Sequence, residues 1–233
     1  MTDPSLPTGE SKAATVRSLF DRIGPRYDLV NRVMTFGMDV GWRRRAIREL
    51  HLPPGARVFD LACGTGDLCR ELQRAGHRPI GFDFAFGMLA NARTAAPLVQ
   101  ADALRLPVRD ASADGVTCGF ALRNVVSLDG LFTELARVVR PGGTVASLEF
   151  GLPRGLWRPL WETHVRLVLP AAGWAISPGW HRVGDFLGDS IRDLYRRLPE
   201  ERLLELWDAA GIADVRTRRL SLGGGLVVWG ARR

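Results

Sequence analysis

The sequence predicts an α/β fold: a doubly wound, mostly parallel seven-stranded sheet that ends in an antiparallel C-terminal hairpin. An N-terminal helical lid precedes it, and a helical insert follows the fifth strand. Three observations carry this expectation. Between Leu52 and Phe150, short apolar runs alternate with helix-forming runs, the pattern of parallel strands covered by helices on both faces. The first strand runs into a glycine-rich turn, "VFDLACGTGDLC" at residues 58–69. Two late strands flank Gly223, Gly224 and Gly225, a hairpin by its turn chemistry.

Taken in order, residues 1–10 read as a flexible arm and 11–51 as the helical lid. "AATVRSLFDRI" is amphipathic. A second helix starts near Pro25, whose ring suits a first helical turn, and ends near Gly37. "DVGWRRRAIREL" follows, and "LPPG" stops it. Residues 52–150 form the half expected to bind a cofactor. Strand "ARVFDLA" leads to helix "DLCRELQRAG" with its glycine stop, then strand "PIGFDF" and helix "FGMLANART". Short strand "PLVQAD" and strand "DGVTCGFAL" come next. Helix "DGLFTELARVVRPGG", closed by proline and glycine, leads to strand "TVASLEF". Residues 151–198 break the alternation with Trp157, Trp161, Trp174, Trp180 and several prolines, and read as a substrate-side helical insert. Residues 199–233 supply helix "PEERLLELWDAAG" and the hairpin. The whole reads as one domain without internal repeats.

Composition narrows the function. The net charge is +7, and Lys12 is the single lysine among 32 basic residues. Basic chains meet nucleic acid, anionic membranes or acidic substrates. The arginines are spread along the chain, apart from short clusters at Arg43–Arg45 and Arg216–Arg219, so weak attraction to anionic lipid is expected and nucleic acid is not. Cys63, Cys69 and Cys118 match neither a disulfide framework nor a zinc pattern. They read as buried thiols in a reducing cytosol, with no metal site. The opening "MTDPSLPTGESK" lacks an apolar core and is not a signal peptide. No uncharged apolar run reaches the ~18 residues of a membrane span.

The glycine turn points to a ligand. In an open α/β sheet the ligand lies beyond the carboxyl ends of the strands, where Asp60, Gly64, Gly66, Asp83 and Asp102 fall. The dinucleotide fingerprint is incomplete, because Cys69 stands where the third glycine belongs. Asp67 opens the following helix; it suits the helix dipole but would repel a pyrophosphate. An adenosine ligand without phosphates and with positive charge fits better, and S-adenosylmethionine is such a molecule. Asp83, at the end of the second strand, is placed to accept from both ribose hydroxyls, and Asp102 from the adenine amino group. Thr65, Met88 and Ala103 complete the expected cofactor-binding set.

The stretches "VFDLACGTGDLC", "GFDFAFGML", "QADALRLPV" and "RVVRPGGTVASLEF" resemble the class I S-adenosylmethionine-dependent methyltransferases. More specifically, "YDLVNRVMTFGMDVGWRR", "FALRNV", "VLPAAG" and "SIRDLYRRLPEERLLELWDAAG" are similar to the ubiquinone/menaquinone biosynthesis C-methyltransferase family. The resemblance runs from about residue 16 to the end. It implies methylation of a ring carbon of a polyprenyl quinol, as in demethylmenaquinol to menaquinol. The chain departs from the family pattern at Gly184 and Phe186, where tyrosines are usual, at its "VVWGARR" ending, which lacks a histidine, and at Ala85, where serine is common.

Such chemistry asks the protein to hold ring and methyl about 3–3.5 Å apart, exclude water and stabilise a developing phenolate. Arg123 and Asn124, after the fourth strand, are expected to face the acceptor. Arg123 would stabilise the phenolate or orient a water, because a guanidinium keeps its proton at neutral pH and cannot serve as a simple base. Asn124 would orient a quinol oxygen, and Tyr27 would close the lid. His164, His181 and Glu149 are the other proton acceptors. Trp157, Leu160, Trp161, Val165 and Val168 share a helical spacing flanked by Arg154, Arg158 and Arg166, which reads as an interfacial helix or as a cover for the core. The expected partners are a lipophilic quinol and, transiently, the cytoplasmic face of the membrane, with a homodimer left open. Two other readings stay open: a methyltransferase for another apolar phenolic acceptor, and a non-catalytic cofactor-binding module.

Overall fold

The computed structural model describes Phe20, residues 27–164, Leu167 and residues 181–233. The arm, most of "AATVRSLFDRI", Trp174 and Trp180 lie outside the described residues, as do Val165, Arg166 and Val168. So do the side chains of Tyr27, His181, Gly184 and Phe186.

Helices α1 (Tyr27–Met34) and α2 (Met38–Arg48) meet at Gly37, whose φ of 74° makes the turn. Then come β1 (Arg57–Leu61), α3 (Asp67–Arg74), β2 (Arg78–Asp83), α4 (Phe86–Ala90), β3 (Leu98–Gln100) and β4 (Ala113–Gly119). They are followed by α5 (Leu128–Val138), β5 (Val139–Phe150), α6 (Trp157–Thr163), α7 (His181–Arg197), α8 (Glu200–Ala209), β6 (Ile212–Leu220) and β7 (Gly225–Arg232). The sheet order is β3-β2-β1-β4-β5-β7-β6. Strands β1 to β5 pair in parallel, and β7 lies antiparallel to both β5 and β6. The order reverses beside β1, so a crevice opens at the carboxyl ends of β1 and β4, the usual ligand site of such sheets.

Several boundaries differ from the sequence reading. Helix α5 stops at Val138 rather than at the proline-glycine pair, and β5 takes over at Val139. Pro141 disfavours helix at Arg140, and Val139, β-branched, is already extended at φ −82° and ψ 138°. Helix α4 is only five residues long. The Asn91 side chain donates back to the Gly87 carbonyl at 2.7 Å, a local alternative to further helix. β3 is three residues long, so Asp102 lies past its end rather than on it.

The core fills the space between sheet and helices. Phe59 and Phe82 meet edge to face at 5.3 Å. Trp207 of α8 is fully buried and lies 5.5 Å from Phe132 of α5. The lid helix α2 is anchored to the far side of the sheet. Trp42 Nε1 donates to Ser221 Oγ at 2.8 Å, in the β6–β7 turn. The indole packs so close to Gly225 that a Cβ there would come within 2.9 Å of it. The triple glycine therefore serves the seating of Trp42 as well as the hairpin.

The insert splits the expected apolar stripe. Trp161 packs on a core cluster with Trp42, Phe120 and Phe150. Leu156, Trp157 and Leu160 remain exposed, at 93%, 47% and 63%. The stripe is therefore part core cover and part free surface.

Candidate functional site

A cavity opens where the strand order reverses. Asp60, Gly64, Thr65, Asp83, Met88, Asp102, Ala103 and Asn124 all line it. Gly66 and Arg123 do not. Gly66 is set back with φ 83°, and a Cβ on it would lie 2.6 Å from Thr94 Cγ2, so the turn admits little else there.

β1 carries Asp60 into the crevice with no solvent exposure. Thr117 Oγ1 of β4 donates to its Oδ1 at 2.7 Å, and Cys69 Sγ lies 3.5 Å from Oδ2. Burial pushes its pKa up to about 7, against the pull of Thr117, Cys69 and Arg43. The carboxylate is thus poised to take full charge when a cation arrives. Asp83 clamps the turn: Gly64 N donates to its Oδ2 at 2.7 Å and Ala85 N to its Oδ1 at 2.8 Å. Asp102 Oδ1 accepts from Leu104 N at 2.9 Å. The rest of the wall is largely apolar, with Phe84, Phe120, Val125 and Val126 among it.

Asn124 reaches the cavity from the loop after β4, its Nδ2 3.4 Å from the Phe120 carbonyl. Arg123, expected to face the acceptor, is not among the residues that line the cavity. Its Nη1 donates to Glu149 Oε2 at 3.0 Å, and the guanidinium lies 5.1 Å from the Phe150 ring centre. Glu149 Oε1 also accepts from Leu122 N at 2.7 Å. A buried carboxylate at the end of β5 therefore holds the loop that carries Asn124. Burial raises the Glu149 pKa, and Arg123 opposes the rise. His164 stacks against Phe36 at 4.8 Å, in the α1–α2 turn, rather than lining the cavity.

Sequence reasoning missed Arg43, the one basic side chain among the described residues that line the cavity. It is buried, 5.2 Å from the Phe120 ring centre, and bonded through Nη1 to Asp39. Its Nη2 lies 3.1 Å from Asp67 Oδ2. A wider lattice surrounds this pair. Arg32 Nη1 meets Asp39 at 3.0 Å, Arg70 meets Asp67, and Thr65 Oγ1 donates to Asp28. Helices α1 and α2 are thereby tied to the glycine turn and to α3. The signal was present in the i, i+4 spacing of Asp39 and Arg43 on a helix that also carries Trp42 and Ala46.

The model of the ubiE/COQ5 methyltransferase family matches residues 8–232. A demethylmenaquinone methyltransferase of Mycolicibacterium gilvum is 40% identical over 221 residues, covering 94% of each chain. One from Desulfitobacterium hafniense is 35% identical over 234 residues, covering 94% of this chain and 90% of its own. Among solved structures, an S-adenosylmethionine-dependent methyltransferase of Thermotoga maritima superposes with a TM-score of 0.64. It is 18% identical, and the match covers 94% of this chain and all of the other.

Proposed function

The chain belongs to the ubiE/COQ5 methyltransferase family, and we propose that it methylates a ring carbon of a polyprenyl quinol, demethylmenaquinol giving menaquinol. One observation carries the proposal. The acidic strand ends that suit S-adenosylmethionine open into the same cavity as an apolar wall and Asn124, and relatives named for this reaction align over nine-tenths of the chain.

S-adenosylmethionine supplies a methyl group on a cationic sulfur. The protein does the rest by placement. Asp83 and Asp102 hold the adenosine end, and Asp60 offsets the cationic charge in a dry site, where charge interactions are strong. Phe84, Phe120 and Val126 cover the flat ring and exclude water. Asn124 holds a quinol oxygen, so that the ring carbon faces the methyl in line. With the methyl supplied by bound S-adenosylmethionine, the ring would give up its hydrogen as a proton to solvent as the product leaves the dry site. Arg123 acts through Glu149, as a brace for the loop that aims Asn124.

The acceptor lives in a bilayer, and no helix among the described residues is long and apolar enough to cross one. The protein therefore visits the cytoplasmic membrane surface. Exposed Leu156 just before α6, and Trp157 and Leu160 on it, supply apolar contact, and the net charge of +7 supplies attraction to anionic lipid, although Arg154 and Arg158 beside them are paired with Glu200 and Glu162.

The test is transfer of a labelled methyl group to reduced demethylmenaquinone, beside a panel of other apolar phenols. Methylation of the quinol at least about tenfold faster than of the phenols is expected from an acceptor-shaped wall. Preference for a water-soluble phenol would overturn the quinol reading in favour of another apolar acceptor. Binding without any transfer would leave a cofactor-binding module.

A further inference from the structure

Phe120 is the first residue after β4, and its backbone is strained. Its φ of 58° falls in the left-handed region, where glycine rests easily and a bulky side chain is an outlier. Such strain persists only where the surroundings hold it from several sides, and it clusters at working sites. Glycine would make this turn at no cost, so the reason for a phenylalanine lies in what its ring touches.

The ring's neighbours belong to several elements. Phe120 is 4% exposed and lines the cavity. Its ring centre lies 4.5 Å from that of Phe150 on β5 and 5.2 Å from the guanidinium of Arg43 on lid helix α2. Phe150 in turn lies 5.1 Å from the Arg123 guanidinium. Two packed rings thus carry one guanidinium each. Both cations are balanced, Arg43 by Asp39 and Asp67, Arg123 by Glu149. The main chain is held as well. Phe120 N donates to the Leu148 carbonyl at 2.6 Å, and Tyr195 Oη of α7 donates to the Phe150 carbonyl at 2.8 Å.

The turn decides where Asn124 goes. After the left-handed residue the chain folds back, and Asn124 N and Val125 N both donate to the Ala121 carbonyl, at 2.8 and 3.3 Å. Asn124 lines the cavity from this turn, its Nδ2 3.4 Å from the carbonyl of Phe120 itself. We propose that Phe120 is a positioning residue for the methyl transfer: its ring, packed on Phe150 and Arg43, holds a strained turn that aims Asn124 at the acceptor. Phe150 does not line the cavity and acts at one remove. The inference rests on the reading of Asn124 as the group that holds a quinol oxygen, and adds the device that aims it.

Kinetics with reduced demethylmenaquinone, calorimetry with S-adenosylhomocysteine and hydrogen exchange of the full chain test it. Phe120→Leu keeps bulk and loses the flat ring. Phe150→Leu removes the ring's support without touching the cavity wall. Each should lower kcat by roughly 10- to 100-fold, since a misplacement of about 1 Å costs on that order. KM and S-adenosylhomocysteine affinity should each change by less than about threefold. On an Asn124→Ala background neither substitution should lower kcat by more than about twofold further, because residues that act as a unit are not additive. Each should also speed exchange of the Asn124 and Val125 amides by about tenfold or more, and leave Val116 and Val145 in the central strands protected. An undiminished kcat loss on the Asn124→Ala background would make Phe120 a packing residue and overturn the proposal. So would unchanged exchange at Asn124 and Val125, protection lost throughout the sheet, or a fall in S-adenosylhomocysteine affinity as large as the fall in kcat. If Asn124→Ala leaves turnover intact, the reading of Asn124 falls and the inference with it. If the wild type does not methylate the quinol, the quinol reading falls instead, and exchange alone decides whether Phe120 holds the turn.

Discussion

Replacing Asp60 with asparagine should stabilise the ligand-free protein at pH 8 and fail to do so at pH 5. In the unfolded chain this carboxyl titrates near 3.8, and in the folded protein burial pushes it up to about 7. Between those values the folded state keeps a proton that the unfolded state releases. Stability therefore falls as pH rises through the window, by at most about 1.4 kcal/mol per pH unit. Three units make about 4 kcal/mol, all of it lost above pH 7 and recovered below pH 4. Asparagine never carries the charge. It keeps the bond from Thr117, but its amide nitrogen meets only the Cys69 sulfur, 3.5 Å from Oδ2 in the wild type. That mismatch costs roughly 1–3 kcal/mol. The net expectation is a gain of about 1–3 kcal/mol at pH 8; at pH 5, where the wild type has lost only about 1.6 kcal/mol of the roughly 4, the net effect is near zero to a loss of about 1 kcal/mol. Ligand binding reports the same group from the other side. A cation beside Asp60 lowers its pKa, so wild-type affinity for S-adenosylmethionine should rise roughly tenfold from pH 6 to pH 8. The asparagine variant should bind more weakly at pH 8 and show no such rise. Denaturant titrations at pH 5, 7 and 8, with calorimetry at the same values, supply both readings. An equal destabilisation at pH 5 and pH 8 would mean that Asp60 does not release its proton in this range, and the reasoning would fall.

Three further outcomes follow from the same geometry. Asp83→Ala should lower S-adenosylmethionine affinity by roughly 10²-fold or more in calorimetry, through two lost charge-assisted bonds and a loosened Gly64 turn; near-wild-type affinity would remove Asp83 from the ribose site. Arg123→Ala should cost about 3–5 kcal/mol in denaturant melts, because it strands Glu149 as a buried charge, and Glu149→Gln on top of it should restore part of that loss. Turnover should fall with the loop while S-adenosylhomocysteine binding changes little. Trp157 and Leu160, both replaced by alanine, should reduce co-sedimentation with anionic vesicles at low salt and leave the melting profile intact; a wild type that ignores such vesicles at low salt would overturn membrane contact through α6.

The sequence made the sheet legible because its signals are local. Apolar strands of five to seven residues, the Gly64 and Gly66 turn and the triple glycine each announce themselves within a dozen positions. The acidic strand ends were legible for the same reason, since a parallel sheet brings the carboxyl ends of all its strands to one edge. Asp60, Asp83 and Asp102 needed no partner to be placed. Element ends were less legible. Val139 turns to strand because of β4 beside it and Pro141 after it, and a window centred on the helix sees neither as decisive.

Charged side chains are the harder case, because their direction depends on which opposite charge lies nearest in space. Arg123 and Arg43 illustrate this from opposite sides. Arg123 stands next to Asn124 and was expected to share its direction, yet Glu149, 26 residues away, draws it out of the cavity. Arg43 stands in a run of three arginines. Asp39 on its own helix and Asp67 across the lid turn it inward, while Arg44 beside it pairs with Glu71 from an exposed position. Reach and rotation on a helix separate adjacent arginines by about 100°, so neighbours in sequence meet different partners. For a lid closing on a charged ligand, the residues that matter are those whose charges are balanced between two elements. Their roles emerge only once both elements are in place, and here that balance converges on Arg43 and Asp67.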